Sequence, residues 1–323
     1  MERNILEGRG LHSQSLVKRA SSLQVTSRTL FESLRSGSFK SIYKGRGIEF
    51  SGVREYFLGD DVRSIDWNVT ARMGRPFVKQ FEEDRELVLF LVVDASLSMV
   101  TGGGKLARNR LSTGCEVAAL MALAASLGGG SVGGVIFDGD IRYSHKPRAG
   151  NNQVLMFLNQ LEAVLEASGE TGFSSEDDSE NVQSQLSLAS TGSNLHKALR
   201  GAASLLKKRS LVLVVSDFRT AGYQQDLAVL ASRHDVIAVR IADPVDCQLE
   251  GMGSLPFVDP ESGYRRILPT SSSSFQQAWK ESDKKRVERW KSDCYRRGAW
   301  PLTISTQEEV AVALQRFFSG REG

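Results

Sequence analysis

The 323-residue sequence is poor in the residues that hold small secreted folds and many metalloenzymes together. It has three cysteines, Cys115, Cys247 and Cys294, far apart and without a CxxC pair. That spacing supports neither a zinc centre nor a disulfide framework, and it suits a reducing interior. The four histidines, His12, His145, His196 and His234, are scattered, so packing or surface roles account for them. A net charge of only +3 gives no whole-chain electrostatic reason to expect nucleic acid as a partner. Long hydrophobic runs are also missing. Leu87 to Val93 has seven residues and Val117 to Ala125 nine, against the ~20 that a bilayer span requires. The start, MERNILEGRGLHSQSLVKRA, has no apolar core of the secretory kind. The expectation is a cytoplasmic protein with no membrane span.

What is present describes an ordinary globular chain, 41% hydrophobic and 24% charged. Its charge is uneven: residues 1–50 carry nine Lys/Arg against four Asp/Glu, whereas Glu162 to Glu180 holds seven acids and no base. Two continuous apolar runs, LVLFLVV (87–93) and LVLVV (211–215), are rich in β-branched residues and end in DASLS and SDF. Unalternating runs of this length suit strands buried on both faces. Between them CEVAALMALAASL (115–127) favours a helix that stops at Gly128-Gly129-Gly130. The segments 132–137 and 141–145 flank Asp138-Gly139-Asp140 as a hairpin. Further helices are expected at 151–167, 195–207, 224–233, 275–297 and 307–318, with strands at 211–216, 235–241 and 301–304. Residues 168–190, rich in Ser, Gly and acids, read as a loop.

Strands alternating with helices predict an α/β fold with a doubly wound, mostly parallel sheet over residues 87–323. Residues 1–86 differ, and read as an N-terminal arm and a small β-rich subdomain with strand-like pieces at 47–57 and 76–82. Its Arg54, Asp60, Asp61, Arg63, Asp66, Trp67 and Arg72 interleave both signs of charge, as an internally neutralised network does. A docking surface and metal binding by the carboxylates are the other readings of the same residues.

The sharpest local feature is Asp94-Ala95-Ser96-Leu97-Ser98, immediately after the first apolar run. A DxSxS loop at the carboxyl end of a buried strand gathers one carboxylate and two hydroxyls, all hard oxygen donors of the kind Mg²⁺ prefers. A second loop must complete such a shell. Asp217 ends the second apolar run as Asp94 ends the first. In the sheet order 3-2-1-4-5-6 those runs are strands 1 and 4, neighbours at the switch point where ligands bind. The loop Ser190-Thr191-Gly192-Ser193-Asn194 is the other candidate, with a hydroxyl to offer. Each element alone also has a structural reading, Ser98 as a helix cap and Asp217 as a turn cap.

The pattern Asp94-x-Ser96-x-Ser98, with a later Ser/Thr and a later Asp, resembles the metal-ion-dependent adhesion site of von Willebrand factor A domains. More narrowly, the chain resembles the bacterial domain-of-unknown-function family number fifty-eight. The matching stretches are GRGIEFSGVREYFLGDDVRSIDWNVTARMGRPFVKQFEEDRE (45–86), GSNLHKAL (192–199), LVVSDF (213–218) and RHDVIAVRIADP (233–244), within a likeness covering roughly residues 15 to 318. The resemblance implies a Rossmann-like von Willebrand factor A-like domain with Mg²⁺ (Mn²⁺ or Ca²⁺ as substitutes) at Asp94, Ser96, Ser98, Ser193 and Asp217. Ser193 stands where the family has threonine, so it loses the methyl that stiffens the rotamer. Asn194 replaces the usual acid, and Thr191 is the alternative hydroxyl.

A metal held mostly by neutral hydroxyls keeps positive charge and an open position that a partner's Asp or Glu can fill. The sequence has no GxSxG, no GxxxxGK[ST] and no HExxH. The expectation is therefore a non-enzymatic, metal-dependent protein-interaction module. By resemblance, it is an adaptor for a MoxR-type AAA+ ATPase in assembly or stress response. The alternative is a Mg²⁺-dependent phosphoester hydrolase, which would normally need more carboxylates than Asp94 and Asp217.

Overall fold

A computed structural model describes residues 27–33, 47–84, 87–100, 108–170, 194–249, 251, 253–258 and 265–319. Two apolar runs set its centre. Strands β3 (Val88–Asp94) and β6 (Leu211–Ser216) lie side by side in parallel, Leu89 opposite Leu211 through Val93 opposite Val215. Strand β4 (Ser131–Phe137) pairs in parallel on the other side of β3, and β5 (Ile141–Ala149) closes that edge antiparallel. Beyond β6 come β7 (Asp235–Ala242) and β10 (Ala299–Ser305), both parallel. The order β10-β7-β6-β3-β4-β5 makes a mixed α/β fold around a mostly parallel six-stranded sheet, with β3 and β6 adjacent as the sequence leads one to expect.

Because successive strand residues face opposite ways, the two runs feed two cores. Leu89, Leu91, Val93, Leu211, Leu213 and Val215 face α4 (Arg110–Leu127), α5 (Asn151–Glu170) and α9 (Val310–Ser319). Phe90, Val92, Val212 and Val214 face α6 (Leu195–Leu205), α7 (Gln224–Ala231) and α8 (Ser273–Arg296). Both faces of the sheet are covered, which is why these strands are apolar throughout rather than alternating.

Helix α4 is buried on nearly every side, so it has no polar stripe to betray its orientation. Among the described residues it is the one helix long and apolar enough to cross a membrane, but 72% of it is buried inside this fold. Gly114 lets it approach β6, since a Cβ there would lie 3.1 Å from Val215 Cγ1. A tighter approach occurs at Gly134 of β4, where a Cβ would sit 2.6 Å from Phe157 Cε2 and 2.8 Å from the Leu91 carbonyl oxygen.

Ahead of the sheet, a short helix α1 covers 27–33, and β1 (Gly47–Glu55) pairs antiparallel with β2 (Phe77–Asp84) as a separate two-stranded ribbon. The two strands are joined through a 3₁₀ turn and α2 (Trp67–Met73), neither of which hydrophobic periodicity suggests. The acids of this region are committed locally. Asp60 takes both guanidinium nitrogens of Arg54 at 2.6 and 2.7 Å, Asp61 accepts from the Arg63 amide, and Asp66 caps α2 through the Asn68 and Val69 amides. The side chains of Phe57, Leu58, Val62, Trp67 and Met73 are exposed. The sequence also gives no warning of a second small ribbon, β8 (Ser254–Val258) with β9 (Arg265–Pro269).

Two outcomes follow from this packing. Gly134→Ala must displace Phe157 or the β3 backbone, and costs about 1–3 kcal/mol of stability by urea denaturation; an unchanged midpoint contradicts the close approach. Arg54 and then the Phe57 amide hold the Asp60 carboxyl down at about 2, from its ordinary 3.8. Because the folded-state value is the lower one, the stabilisation is present above the ordinary value and lost as pH falls through about 2. NMR titration should show that midpoint, and Arg54→Gln should return it to the usual carboxylate range.

Candidate metal centre

The pairing of β3 with β6 brings two loops to one end of the sheet. Val93 is opposite Val215, so Asp94 and Ser216 end their strands together and Asp217 follows by one residue. Beyond Asp94 the chain turns into α3 (Leu97–Val100), carrying Ser96 just before it and Ser98 inside its first turn. Asp94, Ser96, Ser98, Ser216 and Asp217 are all buried.

Asp94 is held from both sides. Its Oδ1 accepts from the Ser96 amide at 3.0 Å, and its Oδ2 accepts from the Ser216 hydroxyl at 2.7 Å. Ser216 Oγ in turn accepts from the Phe218 amide at 3.1 Å, so one hydroxyl couples the two strand ends. Ser96 Oγ and Ser98 Oγ lie 3.1 Å apart. That spacing suits a hydroxyl–hydroxyl hydrogen bond, and it equally suits adjacent donors on an octahedron of radius about 2.1 Å.

Asp217 is aimed by an unusual turn. Phe218 adopts φ 53°, a left-handed conformation rare for an aromatic residue. Its ring is buried against Tyr223 and Trp290, at centroid distances of 5.5 and 5.3 Å. Packing thus offsets the backbone cost and fixes where the preceding carboxylate points. Asp217 Oδ1 accepts from the Arg219 amide at 3.1 Å, whereas its buried Oδ2 accepts no hydrogen bond among the described residues. Arg219 Nε lies 3.6 Å from that oxygen.

Electrostatics agree with a shortage of positive charge. Burial raises the Asp94 carboxyl to about 6, and the charge of Asp217 pushes it the same way against the donors from Ser216 and Ser96. Two buried carboxylates repelling each other, one with an oxygen that accepts no hydrogen bond among the described residues, and two adjacent hydroxyls make a donor set that fits a hard divalent cation. Among the described residues no three His, Cys, Asp or Glu side chains cluster in a way that could hold a metal, so any cation here would rely on serine oxygens.

Of the five residues the sequence singles out, the structure brings Asp94, Ser96, Ser98 and Asp217 together. Ser193 and the alternative Thr191 lie outside the described residues. Asn194, which opens α6, donates from Nδ2 to the Gly139 carbonyl at 2.6 Å and so ties that helix to the β4–β5 turn.

Sequence reasoning misses Ser216 and a charged cluster alongside. Arg110 Nη1 donates to the Ser98 carbonyl at 3.2 Å, and its Nη2 meets Asp246 Oδ1 at 2.5 Å. Asp246 also receives Arg219, and Arg240 at 3.4 Å. Asp283 of α8 lies 3.4 Å from Arg240 and pairs with Arg286. Burial alone would raise the Asp246 carboxyl, but Arg219, Arg110 and Arg240, helped by the Asp243 amide, hold it below its ordinary value. Ser216 had a visible signal, since SDF is the polar end of a buried run. The arginines had none, because their partner is 27 to 136 residues distant in sequence for Arg219 and Arg110.

A 303-residue stretch is 28% identical to "Uncharacterized protein Rv1480" of Mycobacterium tuberculosis (strain ATCC 25618 / H37Rv), covering 93% of this chain and 87% of the relative. "Uncharacterized protein Mb1516" of Mycobacterium bovis matches with the same identity and coverage. Among solved structures, the conserved hypothetical protein BatB from Bacteroides thetaiotaomicron aligns at 14% identity with TM-score 0.40, over 73% of this chain and 98% of that one. An aerotolerance-related membrane protein from Bacteroides fragilis aligns at 16% and TM-score 0.42, with the same coverage. The family model described as "Protein of unknown function DUF58" matches residues 52–289, most of the sheet and its entire Asp94 loop, and the chain belongs to that family.

Proposed function

We propose that this protein is a metal-dependent protein-interaction module of von Willebrand factor A-like architecture. In this reading Mg²⁺ is held by Ser96, Ser98 and Ser193, with Asp94 and Asp217 direct or through water. The observation that carries it is the buried Asp217 Oδ2, which accepts no hydrogen bond among the described residues, at a strand end beside the one whose loop offers Asp94 and two hydroxyls 3.1 Å apart. Leaving a buried carboxylate oxygen without a partner costs about 1–3 kcal/mol or more, a cost that a bound cation removes. When bound, the metal supplies a Lewis-acidic position that a partner's Asp or Glu can complete. The protein's own residues position it: Ser216 fixes Asp94, and Phe218 fixes Asp217.

Nothing in this arrangement requires turnover. The resemblance of the chain to its family implies a MoxR-type AAA+ ATPase as the partner and a cytoplasmic adaptor role in assembly or stress response. A hydrolase would need a base to activate water, whereas both carboxylates here are committed to the cation and its positioning bonds.

Affinity capture from native extract, with Mg²⁺ or with EDTA, tests the reading. A MoxR-type ATPase should be retained with Mg²⁺ and lost with EDTA. Asp94→Ala should lose the metal-dependent capture by tenfold or more, on the order of the effect of removing one ligand or its support, while its circular dichroism stays that of the wild type. Identical capture with Mg²⁺, with EDTA and by the variant would refute the adhesion reading. Mg²⁺-dependent phosphatase turnover that Asp217→Ala abolishes would replace it with the enzymatic one.

A further inference from the structure

Arg219 occupies a position that the metal reading leaves unexplained. It lies two residues beyond Asp217, on the turn set by Phe218, and its backbone amide and guanidinium address different oxygens of the same carboxylate. The amide donates to Oδ1 at 3.1 Å and Nε lies 3.6 Å from Oδ2, the buried oxygen that accepts no hydrogen bond among the described residues. The far end of the guanidinium is anchored on Asp246. Asp246 is itself buried and is shared with Arg110 and Arg240, whose side chains are each 5% exposed. Arg219 is 40% exposed. Of the three arginines on Asp246 it is the one that pairs with Asp217 and the most exposed.

Resting on the metal reading above, we propose that Arg219 is the resident counter-cation of Asp217: it shields the carboxylate when the metal is absent and competes with the metal for it. Asp94 and Asp217 are both buried and repel each other, so a positive charge beside either of them is favourable. The guanidinium sits off the hydrogen-bonding position, so it reduces the charge without sealing the oxygen. A divalent ion that takes Asp217 displaces this weak contact, and Asp246 keeps the arginine tethered next to the site. There its fork of donors suits the second oxygen of an incoming carboxylate. The arginine thereby sets metal affinity below what the donor set alone would give, and favours an acidic partner.

The test uses the full chain and Mn²⁺ alone, read by the loss of the free-ion electron paramagnetic resonance signal. Arg219→Gln removes the charge and should tighten Mn²⁺ binding about fivefold, the scale of a partly exposed ion pair. Arg219→Lys keeps the charge and should bind within about twofold of wild type, which separates competition from a merely structural role for the side chain. Binding by R219Q where the wild type shows none also supports the proposal. Equal or weaker binding by R219Q than by wild type overturns it and leaves the metal reading standing. Absence of Mn²⁺ binding in wild type and R219Q alike overturns both.

Discussion

The parallel pairing of β3 with β6 is the constraint on which the rest depends. It is built from Leu89 to Val93 lying opposite Leu211 to Val215, ten side chains buried to both faces of the sheet. Each fully buried aliphatic or aromatic side chain contributes on the order of 1.5–3 kcal/mol, so a slip of one residue would empty both cores at once and send every side chain to the wrong face. The register that satisfies packing also sets Asp94 level with Ser216. The chemistry at the end of the sheet is therefore inherited from the apolar runs that precede it. Core residues that touch no ligand fix the site to within a hydrogen bond.

Around that register the protein spends polar groups in two ways. Inside the site, Ser216 is a relay: it donates to Asp94 and accepts from the amide of Phe218, so the two loops cannot move independently. Beside it, Asp246 gathers Arg110, Arg219 and Arg240 from α4, the β6 loop and β7, and Asp283 extends the set to α8. Arg110 also holds the Ser98 carbonyl. Removing one member of a buried set like this leaves charges uncompensated, typically at about 3–5 kcal/mol. The network links the serine loop to α8 through side chains, from the Ser98 carbonyl by way of Arg110, Asp246 and Arg240 to Asp283.

The legible part of this structure was the part governed by short-range pattern. Unbroken β-branched runs announced β3 and β6, and Asp138-Gly139-Asp140 announced the β4–β5 hairpin. The Ala/Leu run gave α4, although its start lies at Arg110 and not at Cys115, because Asn109 caps it with its side-chain oxygen on the Ser112 amide. Strand order then put Asp217 beside Asp94, which the pairing bears out. What stayed hidden depends on contacts far apart in sequence or on side-chain conformation. The helix α2 is only seven residues long, begun by Asp66 and ended by Gly74 in a left-handed conformation, too short to show a period. The β8–β9 ribbon contains Pro256 and Pro269, residues that argue against strands unless they lie at an edge. The left-handed turn at Phe218 is invisible because nothing about phenylalanine invites it; only the pocket between Tyr223 and Trp290 explains it.

The central claim is that the end of the β3–β6 pair is a cation site made chiefly of serine hydroxyls. Anomalous diffraction from crystals grown with Mn²⁺ addresses it most directly. The account predicts one strong anomalous peak about 2.0–2.3 Å from both Ser96 Oγ and Ser98 Oγ, on the Asp94 and Asp217 side of the loop. No peak there at saturating Mn²⁺, or a peak only at surface carboxylates elsewhere, would contradict it.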